Sequence, residues 1–143
     1  MIKGVDYTGL AVVCFCHDGN GNYVVEQRSD KCRDEHFTWG PVGSGGVDRG
    51  ERLEDTVRHE IREECGATAL EIEFLGFREV FRGRNDQQTH WVFFDYKVRI
   101  DPSEVRITEP EKCLEQRWVT IDAIPEPKHS QFPVALEKYR EVL

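Results

Sequence analysis

At 143 residues, with 38% hydrophobic and 32% charged side chains, the chain has the length and make-up of one domain with a genuine core and a wet surface. A formal net charge of −8 and the lack of any basic run longer than two residues exclude unassisted binding to nucleic acid or to an anionic membrane surface, since both need a positive face. Five scattered cysteines, Cys14, Cys16, Cys32, Cys65 and Cys113, match neither a zinc pattern nor a disulfide framework, so a reducing cytoplasm is the expected home.

The first residues, MIKGVDYTG, lack the long apolar stretch of a signal peptide, and no segment approaches the ~20 apolar residues of a membrane span. Leu10 to Cys16 (LAVVCFC) and Tyr23 to Gln27 (YVVEQ) read as two strands around the turn His17 to Asn22 (HDGNGN), whose Gly and Asn tolerate a hairpin's positive φ. Cys14 and Cys16 fall on one face of the first strand as small buried hydrophobes. Asp18, Asn20 and Asn22 imitate a calcium loop, but Tyr23 stands where that loop needs Gly and Ser29 where it needs Glu, which rules the motif out. Ser29 to Phe37 is a polar loop, with Arg28 at the strand end before it, placed to touch phosphate.

Trp39 to Gly50 (WGPVGSGGVDRG) holds five glycines in twelve residues. It has neither the third Gly of a dinucleotide fingerprint nor the Gly-Lys of a P-loop. So many glycines let a backbone approach a ligand closely. Leu53, Val57 and Ile61 then form an apolar stripe at four-residue spacing, the pattern of an amphipathic helix, which Gly66 would close as a left-handed cap. Glu60, Glu63 and Glu64 stand at i, i+3 and i+4, so three carboxylates share one side of that helix, beside its apolar stripe. Alone, three like charges repel; a hard divalent cation such as Mg²⁺ or Mn²⁺ reverses the sign of that cost.

Leu70 to Phe81 and His90 to Ile100 are strand-like, joined by the polar link Arg82 to Gln88. Asp101 to Glu115 reads as a charged loop and Arg117 to Ile121 as a short strand. Val134 to Leu143, with apolar Val134, Leu136, Tyr139, Val142 and Leu143, closes the chain as a helix. Trp39 and Trp91 are read as core aromatics before base-stacking ones.

The stretch Gly45 to Ala67, GGVDRGERLEDTVRHEIREECGA, resembles the signature of the Nudix hydrolases, G-x5-E-x7-R-E-U-x-E-E-x-G-U with U a bulky aliphatic. Gly45, Glu51, Glu60, Ile61, Glu63, Glu64 and Gly66 fall in register. His59 replaces the signature's Arg, and Ala67 its last aliphatic. The resemblance implies a single Nudix domain over residues 1–143, folded as an α/β/α sandwich with a mixed sheet between the box helix and the C-terminal helix. It implies Mg²⁺- or Mn²⁺-dependent attack of water on a nucleotide pyrophosphate, a reaction that needs charge neutralisation and alignment. Carried onto this chain, Glu63 and Glu64 would be the principal metal ligands and Glu60 a ligand or the general base. Glu51 would orient or complete the shell, and a backbone carbonyl near Ser44 or Gly45 would be a further ligand. His59, four residues before Glu63, could donate one hydrogen bond to it, with a charge that depends on pH.

The segment Glu109 to Cys113, followed by Trp118-Val119, looks like one found in members that cleave nucleoside triphosphates to monophosphates, with Glu109 or Glu111 placed to approach the metal. A nucleoside or deoxynucleoside triphosphate is therefore the expected small-molecule partner. ADP-ribose, a dinucleoside polyphosphate, and nucleotide binding with little turnover are the alternatives. Dimers occur in the family, which leaves a homodimer open.

Overall fold

The computed structural model describes residues 1–84 and 86–143. The strand β1 (Gly9–His17) is the spine. Its side chains alternate between two cores, as the two-residue period of a strand requires. Val12, Cys14 and Cys16 meet Val57, Ile61 and Cys65 of helix α1 (Leu53–Cys65) on one face. Val13 and Phe15 meet Phe132, Leu136 and Tyr139 of helix α2 (Phe132–Tyr139) on the other. With both faces covered, the strand needs no polar alternation, which is why LAVVCFC is apolar throughout. The α/β/α sandwich follows directly: one sheet lies between two helices, and the five cysteines are free.

The sheet is mixed. β1 turns into β2 (Tyr23–Arg28) through a pair at His17 and Tyr23. Along its length β1 lies parallel to β6 (Gln87–Ile100), which pairs antiparallel with β5 (Ala69–Arg84). β2 is flanked by β3 (Trp39–Pro41) and β7 (Cys113–Val119), both antiparallel. The two-residue β4 (Gly45–Gly46) adds to β1 opposite Ala11 and Val12. The Gly-rich segment is thus not only a turn. It is pinned by ladder bonds to the most buried strand, immediately before α1.

Several elements differ from the expected ones. β7 starts at Cys113 rather than Arg117, because its pairing runs down β2 as far as Arg28. β5 and β6 extend through most of the polar link 82–88, with residue 85 outside the described residues. α2 begins two residues earlier than read, with Pro133 in its first turn, and it buries Phe132, Ala135, Leu136 and Tyr139. Val134 and Val142 are half exposed. In the turn between β1 and β2, the Asp18 carboxylate accepts from the amides of Asn20 (2.7 Å) and Asn22 (3.2 Å) and from the Asn22 side chain. The calcium-like spacing therefore serves a side-chain-capped turn.

Two further features hold the frame. Asp95, fully buried, accepts two 2.8 Å hydrogen bonds from Arg78 and one of 2.6 Å from the Tyr139 hydroxyl, tying β5, β6 and α2 together. At the end of α1, Gly66 adopts φ 73° and its amide donates to the Arg62 carbonyl. A Cβ there would overlap the Arg106 guanidinium. Gly66→Ala is expected to cost about 1–2 kcal/mol of stability, measurable as a lowered urea midpoint with an unchanged slope.

Candidate active site

α1 presents its functional groups by rotation about its axis. Val57, Ile61 and Cys65 go into the sheet; Glu60 and Glu64, at the rim, are partly buried, and His59 and Glu63 are exposed. His59 Nε2 lies 3.0 Å from Glu63 Oε2, the contact that the i, i+4 spacing anticipates. His59, Glu60 and Glu63 each bring one ligand atom within 4.8 Å of the others. Glu64 does something different. Its Oε2 accepts from the Gly43 amide at 2.5 Å and the Ser44 amide at 3.2 Å, which locks the helix rim to the Gly-rich turn. At Ser44 it is thus the amide whose partner is seen, and that partner is Glu64. Glu51 stands before α1 and accepts a 2.5 Å hydrogen bond from the hydroxyl of Thr56, a fully buried residue.

Gly45 explains itself by contact. Any Cβ on it would occupy the Glu60 carboxylate, so the turn and Glu60 fit only with hydrogen at this position. Gly45→Ala is expected to displace Glu60 and to lower kcat/KM about 100-fold, because small misplacements of reacting groups carry that cost. Far-UV and near-UV circular dichroism should remain those of the wild type.

The electrostatics are those of acids crowded out of water. Burial, then the charge of Glu63, pushes the Glu60 carboxyl up to about 7. Burial pushes Glu64 up to about 8 despite the Gly43 amide, with Glu26 and Glu60 adding to the shift. Glu26, on β2, is itself raised by burial and accepts from Gln116 Nε2 at 2.9 Å. Glu109 contributes to the shifts of both Glu60 and Glu26, so its loop brings a carboxylate toward this centre. A set of oxygen donors whose charges oppose one another fits a hard divalent cation. The donor chemistry does not distinguish Mg²⁺ from Mn²⁺.

A cleft of about 420 Å³ opens beside these acids. Glu64, Glu26, Ser44 and Gly45 line it together with the apolar Ala11, Val13, Phe15, Trp91, Phe93 and Phe132. Arg28, Arg78, Arg82 and His129 also line it. Arg28 donates to the Asp34 carbonyl and carboxylate at 3.1 Å. Arg82 bonds Asp34 and Glu35, and Glu35 also receives His129 and Ser130. This network binds the 29–38 loop to β5 and to the segment before α2, at the cleft. Glu109 pairs with Lys112 at 3.6 Å. Glu111 is exposed, and its carbonyl accepts from the Ser29 hydroxyl. Trp39 is 3% exposed beneath the Arg117 guanidinium, 4.8 Å away, a core role. Trp91 backs onto Gly4 and Gly9, where any Cβ would strike its ring.

Sequence reasoning missed Thr56, Glu26 and the Arg82 network. Only Glu26 left a trace, as an acid within the apolar strand YVVEQ.

A NUDIX domain model matches residues 7–139. No curated protein sequence matches significantly. The chain is similar to the crystal structure of a MutT NUDIX hydrolase from Burkholderia pseudomallei, with 26% identity, 92% of this chain and 98% of that chain covered, and a TM-score of 0.80. It is similar in fold to the NUDIX domain of Shewanella oneidensis NrtR complexed with ADP ribose (20% identity, 94% and 88% covered, TM-score 0.72). A C. elegans Ap4A hydrolase shares the fold at 16% identity, with 94% and 97% covered and a TM-score of 0.61. Among the described residues no helix is long and apolar enough to cross a membrane.

Proposed function

This chain belongs to the Nudix family and is a pyrophosphohydrolase acting on nucleotide pyrophosphate bonds, and from that premise we propose that it cleaves a nucleoside or deoxynucleoside triphosphate to the monophosphate and pyrophosphate, with residues 1–143 acting as one domain. The observation that carries the proposal is a cleft of about 420 Å³ with Glu64 and Gly45 in its lining and Glu60 against Gly45. That volume suits one nucleotide, whereas a dinucleoside polyphosphate needs room for two.

In this reading Glu60, Glu63 and Glu64 hold a divalent cation. When bound, that cation neutralises charge on the pyrophosphate and makes a coordinated water more acidic. His59 steadies Glu63 through their 3.0 Å contact. The two amides of Gly43 and Ser44 fix the angle of Glu64, and Thr56 fixes Glu51. Water attacks one phosphorus, the bridging oxygen leaves with its electron pair, and a Glu60 carboxylate oxygen takes the proton from the water. Burial raises the proton affinity of Glu60 toward neutrality, which suits a general base. Arg28, in the cleft lining, is assigned to phosphate, and Glu109, whose charge acts on Glu60, to the cation.

The test is a nucleotide panel with Mg²⁺ or Mn²⁺, including all eight common triphosphates, ADP-ribose and a dinucleoside tetraphosphate, with pyrophosphate resolved from orthophosphate. Release of pyrophosphate from a triphosphate supports the reading. Cleavage of ADP-ribose alone moves the substrate to the nucleoside-diphosphate class, and no cleavage of any nucleotide leaves a binding domain.

A further inference from the structure

The first seven residues form a hook. The Gly4 amide donates to the Tyr7 carbonyl at 2.7 Å and the Ile2 amide to Asp6 Oδ2 at 2.5 Å. The hook is clipped to the sheet where the His90 amide donates to the Gly4 carbonyl at 2.8 Å. Gly4, at φ +81°, lies so close to the Trp91 ring that a Cβ would overlap it. That docking brings Lys3 to the Gly-rich turn. Its Nζ donates to the Val47 carbonyl at 3.0 Å and stands 3.3 Å from where a Gly46 Cβ would be.

Neighbouring residues of a strand face opposite ways. In β4, Gly45 therefore faces Glu60 while Gly46 faces Lys3, and both glycines line the cleft. A second cavity of about 220 Å³, lined by Lys3, Arg33, Thr89 and Trp91 among others, shares those last three residues with the cleft. Lys3 thus stands beside the turn that lines the cleft, in a cavity that shares part of its wall with it.

We propose that Lys3 is a substrate-binding residue that takes the terminal phosphate of the substrate's polyphosphate chain. The inference rests on the triphosphate reading above. Its chemistry is direct. A polyphosphate approaching Glu51, Glu60, Glu63 and Glu64 on a chain of net charge −8 is repelled, and a cation anchored on the same turn offsets that repulsion. An ammonium has three donors, and the Val47 carbonyl takes one. Asp48, 87% exposed and 3.9 Å away, is a loose partner that a phosphate can displace. Docking of the hook does not need this charge, since Gly4 on Trp91 and the His90 bond already supply it.

The experiment uses the full chain with Lys3→Gln, Lys3→Arg and Gly4→Ala. Binding of inorganic tripolyphosphate is titrated by calorimetry, with and without Mg²⁺, over a salt series. Lys3→Gln should weaken binding roughly 10-fold, as loss of one charged hydrogen bond does, and flatten the salt dependence. Lys3→Arg should restore both. Gly4→Ala keeps the charge but lifts the hook from Trp91, and should weaken binding by a similar factor. In turnover, Lys3→Gln should raise KM for a triphosphate with kcat nearly unchanged. Wild-type affinity and salt slope in Lys3→Gln overturn the proposal, as does wild-type affinity in Gly4→Ala. A wild type that binds tripolyphosphate through Lys3 yet cleaves nothing on the panel sinks the proposed reaction and leaves this site standing.

Discussion

Glu64→Gln is expected to fold normally and to lose about 1,000-fold or more of kcat, with little change in its secondary structure. The two side chains have nearly the same shape. The Gln carbonyl oxygen can still accept from the Gly43 and Ser44 amides that Glu64 engages, so the turn keeps its grip on α1. What disappears is one negative charge at the part of the cleft where Ser44 and Gly45 also lie. A hard cation binds an amide oxygen far less well than a carboxylate, and electrostatic stabilisation of a phosphoryl transition state depends on that charge. The exposed Glu141, outside the cleft lining, is the matched control: Glu141→Gln removes the same charge from the same chain and should stay within about 2-fold of wild type, as exposed substitutions away from special sites do. Steady-state rates on the best panel substrate across a Mg²⁺ titration decide the matter. A Glu64→Gln rate within 10-fold of wild type at saturating Mg²⁺ would remove Glu64 from the catalytic set.

The parts of this site that were legible in the sequence are those set by local periodicity. Three glutamates at helical spacing, an apolar stripe at Leu53, Val57 and Ile61, and Gly66 after the last turn all lie within fourteen residues, Leu53 to Gly66. A helix converts that spacing into position without help from the rest of the chain. β1 was legible for a similar reason, since an unbroken apolar run of that length suits a strand buried on both faces. Pairing between distant segments was not. The start of β7 is set by the pairing of Cys113 opposite Arg28 on β2, and nothing in the polar run around Cys113 announces it. The ion pair of Arg78 and Asp95 escaped for another reason: a charged residue in a strand reads the same whether it is solvated or buried, and only the fold shows that Asp95 is sealed beneath Tyr139. Lys3 is the extreme case. Its neighbours in sequence are a turn, and its neighbours in space are Val47 and Asp48 of the box.

The metal-free protein is expected to lose stability as pH rises through the neutral range, and divalent cation should remove that loss. The sign follows from Glu60 and Glu64. Both carboxyls are held above their ordinary value of 4.5, to about 7 and about 8, with burial the first cause in each case. A group whose folded pKa is raised binds its proton more tightly in the folded state. Its contribution is fully present below about pH 4.5 and is lost as pH climbs through 7 and 8. At about 1.4 kcal/mol per pKa unit, discounted for the partial exposure of both residues, the combined loss by pH 8 is on the order of 3 kcal/mol. For a domain of this size that corresponds to a fall in Tm of roughly 10 °C. Glu64→Gln should show a shallower decline, because it has one fewer enclosed carboxyl to ionise. Mg²⁺ binds the ionised form, so its affinity should rise over the same window as it displaces protons. With saturating Mg²⁺ the Tm should be nearly flat from pH 6 to 8. Thermal unfolding at half-unit pH intervals, with chelator and with Mg²⁺, reads both arms. A chelated Tm that stays level or rises between pH 6 and 8 would mean that these carboxyls are solvated as ordinary surface acids, and the crowding that makes a cation necessary would be gone.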